Sequence, residues 1–157
     1  MDKRMPESMV LELGAWNNGT GIDLESWTGC EGNFRLAVGY STVFWPQFER
    51  MGRYILRKGV PSESLISFER QQGATTQSVE AVLNHLHIAD IQHAFCADNS
   101  RDKLIWLGER LKEIYAAKLA WQFPDTPCVG EFYRPDDPDD LTGYQISFWQ
   151  GAPGALS

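Results

Sequence analysis

One apolar stripe constrains this chain more than any other feature. Leu104, Leu107, Leu111, Ile114, Tyr115 and Leu119 recur at three- and four-residue steps, the spacing that gathers side chains on one face of a helix. Asp98 or Ser100 is placed to cap that helix. Pro124 ends it, because proline lacks the N–H and clashes with the preceding turn. A long helix with one apolar face needs a broad surface to cover it, and the following residues supply one. Val129 to Arg134 and Tyr144 to Trp149 read as strands flanking Pro135-Asp136-Asp137-Pro138-Asp139-Asp140, which predicts an antiparallel hairpin with a long loop. Tyr144, Ile146 and Phe148 share one face, and Trp149 points to the other.

Upstream the pattern is weaker. Met9 to Leu13 reads as a first strand, Asn17 to Gly21 as a loop, and Asp23 as the cap of a short turn through Trp27. Phe34 to Tyr40 alternates, and Ser41 to Trp45 is β-branched and aromatic, so 34–45 fits either a strand or a buried helix. From Pro46 the period changes. Phe48, Met51 and Ile55 lie at i, i+3 and i+7, with Arg50, Arg53 and Arg57 on another face and Gly59 as a stop, which predicts a helix over 46–58. Ser62 opens the next helix and Gly73 closes it. Thr76 begins a further one, with Val79, Val82, Leu83 and Leu86 inward and Ile91 and Phe95 continuing that surface.

The sum is an α+β fold in a single domain over residues 1–157. An N-terminal strand and the C-terminal hairpin form a mainly antiparallel sheet, covered on one face by about four helices. The stretch 151–157 is expected to fray.

Composition supports a packed core: 157 residues, 43% hydrophobic and 22% charged. No apolar run is long enough to span a bilayer, and the start, MDKRMPESMV, lacks the apolar centre of a signal peptide. Cys30, Cys96 and Cys128 leave one thiol over in any pairing, which points to a reducing, cytoplasmic setting. The net charge of −7 weighs against nucleic acid and anionic membranes as partners. That charge is uneven: −4 over 1–34, +2 over 35–119 and −5 over 120–157.

Candidate chemistry is sparse. The three histidines, His85, His87 and His93, fall within nine residues. In a continuous helix His85 and His87 would diverge, whereas His87, Asp90 and His93 would share a stripe, with Cys96 as a further soft donor. This set matches no standard ligand spacing, and no cofactor is expected. Cys96 lies near a helix C-terminus, the wrong end of the dipole to activate a thiol. Neither a G-x-S-x-G elbow nor a glycine-rich phosphate loop is present. Asp136, Asp137, Asp139 and Asp140 lack the alternation and glycine of a calcium loop.

Six tryptophans are a heavy load for this length. Trp106 lies one step off its helix stripe and Trp149 turns from the buried strand face, so both are expected to anchor a partner. The sequence therefore reads as a non-catalytic binding protein, an immunity- or antitoxin-type inhibitor. Its partner-binding residues would be Trp106, Trp149, Asp136, Asp137, Asp139 and Asp140, with acidic rims suited to a basic enzyme. The alternative is a small enzyme or ligand- or metal-binding domain built on His87, Asp90 and His93. A homodimer is a third way to cover the surplus rings.

Overall fold

The computed structural model describes residues 5–93 and 96–151. Phe95 and the tail from 152 lie outside the described residues. In chain order come α1 (Val10–Gly19), α2 (Leu24–Glu31), α3 (Phe34–Phe44), β1 (Phe48–Met51), β2 (Tyr54–Arg57), α4 (Ser62–Glu69) and α5 (Thr76–Leu83). β3 (Leu86–His87), α6 (Arg101–Gln122), β4 (Cys128–Tyr133) and β5 (Gln145–Gln150) complete them. The fold is α+β, with two small antiparallel sheets, β1-β2 and β3-β5-β4.

The predicted long helix and terminal hairpin are both present. Leu104, Leu111, Tyr115 and Leu119 of α6 are buried, as the stripe requires. Phe132 pairs with Ile146 and Gly130 with Phe148 across the hairpin. This face meets α6, where the Phe148 and Tyr115 rings lie 5.0 Å apart. Gly108 permits the close approach, because a Cβ there would stand 2.3 Å from the Phe132 ring.

The segment 46–58 is not the expected helix. It forms the β1-β2 hairpin, turning at Gly52, whose φ of +60° suits the first central position of a type II′ turn. Both faces of the hairpin are covered. Phe48 and Ile55 enter the main core, while Tyr54 and Leu56 pack with Val79 in a second cluster beneath α4 and α5. The arginines of the supposed helix stripe lie over rings instead: Arg50 over Phe123, Arg53 over Tyr54 and Arg57 over Tyr115, at 5.6, 5.0 and 6.0 Å.

Met9 to Leu13 is also corrected. A 3-10 turn at Glu7–Met9 leads into α1, and the first strand does not form. Its alternation was weak, and tertiary bonds decide the matter. The Ser8 N–H donates to Asp102 Oδ2 at 2.6 Å, tying this turn to the start of α6. The Asn-rich loop holds: Asn17, Asn18, Gly19 and Gly21 all take positive φ. Asp23 caps α2 by accepting from the Ser26 N–H at 2.8 Å. The open choice over 34–45 resolves to helix, with Asn33 accepting from the Leu36 N–H as cap.

α5 joins the two sheets. Glu80 and Asn84, four residues apart, are 0% and 1% exposed. Glu80 Oε1 accepts from the Ile55 N–H at 2.6 Å, and Oε2 from the Gln150 N–H at 2.7 Å. Asn84 Oδ1 accepts from the Arg57 N–H, and its Nδ2 donates to the Ile55 and Phe148 carbonyls. Two side chains thus satisfy the facing edges of β2 and β5, which a missing strand would otherwise have to pair.

Candidate functional site

The sites expected from sequence separate in three dimensions. His87 ends β3, Asp90 lies in a 3-10 turn (Ile88–Ile91) and His93 follows in a loop, so no common helix stripe exists. The helix that would have carried them stops at Leu83. His85 and His87 instead meet edge to face, with ring centroids 5.2 Å apart, and His87 Nδ1 lies 2.7 Å from the Thr142 carbonyl. Among the described residues, no three His, Cys, Asp or Glu side chains converge as metal ligands.

The acidic loop is exposed and internally braced. Asp137 Oδ1 accepts from the Asp139 N–H, and Asp140 Oδ1 accepts from the Thr142 N–H at 3.1 Å. The Thr142 hydroxyl and backbone hold the Asp140 carboxyl below its ordinary range, helped by the nearby His87. Asp136, Asp137, Asp139 and Asp140 therefore present a fixed negative edge to solvent.

The indoles divide by exposure. Trp106 and Trp149 are half-buried, Trp106 beneath the Arg110 guanidinium and Trp149 opposite Val129. The exposed indoles are Trp45, 47%, and Trp121, 69%. Their rings lie 6.2 Å apart. Between them sits Lys118, only 6% exposed, its Nζ 4.4 Å from the Trp121 ring centre and 5.2 Å from that of Trp45. Two ring faces supply negative quadrupole where the ammonium has lost water. The periodicity did hold a signal for Trp121: it lies two residues past Leu119, on the far side of the helix from the stripe.

Trp45 is also the C-terminal cap of α3, and a cleft of about 540 Å³ opens beside it. Ser41 and Thr42 of α3, Gln47, Arg57 and Lys58 line this cleft with Trp45. Lys58 Nζ donates to Gln47 Oε1, and Arg57 lies over Tyr115, whose hydroxyl donates to the Val43 carbonyl at 2.6 Å. Burial raises the Tyr115 phenol, opposed by Arg57. Among the described residues, Arg57, Lys58 and Lys118 form no ion pair.

α3 leads into this cleft and buries none of its residues. Phe34 is 91% exposed and Val38, one turn on, 69%; Leu36 on the same helix is half-exposed. Tyr40 stacks on Phe44, which packs against the core. The arrangement offers exposed Phe34, Val38, Trp45 and Trp121, with Ser41 and Thr42 between Val38 and Trp45 and with Arg57 and Lys58 in the cleft beside Trp45.

Comparison with protein-family models, curated proteins and solved structures found no match.

Proposed function

We propose that this chain is a non-catalytic binding protein that docks a protein partner through α3, Trp45 and Trp121. The observation that carries this reading is the exposure of Phe34 and Val38 on a helix with no buried residue. Large rings at a surface gain most when a partner removes them from water, and they lose little side-chain entropy on docking. The inhibitor form of this reading, immunity- or antitoxin-type, draws support from the fixed acidic edge at Asp136 to Asp140, which suits a basic enzyme face and would speed encounter with it. Free Cys30, Cys96 and Cys128 are consistent with action in the cytoplasm. No helix among the described residues is long and apolar enough to cross a membrane.

The test is affinity purification of the chain from its own cells, alongside Phe34→Asp/Val38→Asp and Trp45→Ala/Trp121→Ala variants. A protein captured by the native chain and lost from both variants supports the reading. A protein set identical across all three chains removes it.

A further inference from the structure

We infer that the surface formed by α3 and the adjoining cleft takes an acidic amphipathic segment of a protein partner. Its apolar side chains would lie on Phe34 and Val38, and its carboxylates would enter the cleft at Arg57 and Lys58. This inference rests on the docking role proposed for α3.

Charge complementarity selects the partner's chemistry. The chain carries 21 acids against 14 bases, yet residues 32–48, which include all of α3, contain Arg35 and no acid. At the end of that helix the cleft adds Arg57 and Lys58, with Lys118 held between the indoles next to it. Glu49, the one acid of the hairpin, directs Oε1 to the Gly59 N–H at 3.4 Å and forms no ion pair with Arg57 or Lys58 among the described residues. Arg57 and Lys58 make no ion pair among the described residues, so an incoming carboxylate displaces no carboxylate and competes only with the neutral Gln47 Oε1 at Lys58. The geometry also orders the contact. Phe34 and Val38 follow one helical face toward Trp45, and the cations lie beyond it, so a partner segment must carry its apolar residues first and its acids at one end. A basic segment would bring like charge to this cleft, and a wholly polar one would leave α3 uncovered.

A synthetic fifteen-residue peptide on an alanine background, with leucines at i, i+3, i+4 and i+7 and glutamates confined to one terminal turn, is the probe. Its twin carries lysines in place of the glutamates. Binding is read from fluorescence of Trp45 and Trp121, with Trp45→Phe/Trp121→Phe as the signal control. The expected result is saturable binding of the acidic peptide alone. Lys58→Glu should weaken it about tenfold, and raising salt should weaken it further. Lys58 is exposed, so its variant keeps the test decisive where Arg57→Glu disturbs the Tyr115 ring beneath it. Equal binding of the lysine twin, or no effect of Lys58→Glu, overturns the acidic inference while leaving docking on α3 intact. Binding indifferent to Phe34→Asp/Val38→Asp removes the docking role itself. Saturation by inorganic phosphate or a mononucleotide without competition from the peptide would make the occupant a small anion and overturn the inference.

Discussion

Glu80 Oε2 accepts the Gln150 backbone N–H at 2.7 Å, at the point where β5 has run beyond its neighbour β3. The other oxygen accepts from the Ile55 N–H of β2 and from Gln150 Nε2. A single carboxylate therefore satisfies three donors from two sheets. Glu80→Gln turns one oxygen into an N–H₂ facing an N–H, which costs about 1–3 kcal/mol. Glu80→Ala strands the Ile55 and Gln150 backbone N–H groups, while Gln150 Nε2 keeps the Arg53 carbonyl, and should cost about 3–5 kcal/mol, the upper range for one substitution. Urea midpoints check both, and an unchanged midpoint for Glu80→Ala would show that the sheets hold each other without it.

Gly108 faces Phe132 across the packing of α6 on the hairpin. In an open helix Gly→Ala gains about 1 kcal/mol. Here the added methyl would meet the ring at 2.3 Å, so Phe132 must leave its stack on Tyr144. Overpacking of this kind costs about 1–3 kcal/mol and wins. Gly108→Ala is expected to lower the melting temperature, and Phe132→Leu in the same chain should recover part of the loss. A stabilised single variant would refute the close approach.

The sequence was legible where one period matched one buried face. α6 and the β4-β5 hairpin each have a covered side, so Leu111 and Tyr115, or Ile146 and Phe148, announce their geometry. The β1-β2 hairpin has two covered sides. Its strands show no alternation, and Phe48, Met51 and Ile55 fall at helical spacing by coincidence. Only Gly52 between two short runs marked the turn. The join made by Glu80 and Asn84 was hidden for another reason: a polar pair four residues apart on a helix normally faces water, and only the placement of two strand edges buries it. The exposed aromatic surface was half legible. Six tryptophans announced surplus rings, and Trp106 and Trp149 are half-buried beside Arg110 and β4; the exposure of Trp45 and Trp121 was not announced, because it depends on how the end of α3 meets α6.

Asp102 links stability to acid. Partial burial disfavours its charge, yet the Ser8 N–H and the Ser100 and Ser8 hydroxyls together hold its carboxyl well below the usual range. A depressed folded value stabilises the fold above the unfolded value, near 3.8, and that contribution is lost as pH falls below it. Asp102→Asn should therefore be destabilised at pH 7, with the gap to the native chain narrowing between pH 4 and pH 2 as read by urea unfolding. A gap that stays constant over that interval would mean the carboxylate is not the linked group.

The three thiols should separate by reactivity. Cys30 is exposed and Cys96 half-buried, whereas burial, with help from the Glu80 charge, pushes the Cys128 thiol up to about 11 despite Arg50 nearby. Only the thiolate attacks a disulfide reagent, so at pH 8 Cys128 has on the order of 10⁻³ of its molecules in reactive form. Labelling with an aromatic disulfide, followed by peptide mapping, should find Cys30 modified first and Cys128 last. Raising the pH from 8 to 10 should accelerate Cys128 about a hundredfold, because its thiolate fraction is still rising over that interval. Glu80→Gln removes the adjacent negative charge and should lower the Cys128 value, shifting its rate profile toward neutral pH. Because that variant also loosens the sheets, the position of the profile along the pH axis is the deciding readout, since increased opening raises the rate at every pH without moving the inflection. An inflection for Cys128 near the ordinary thiol value of about 9 would contradict its burial beside Glu80.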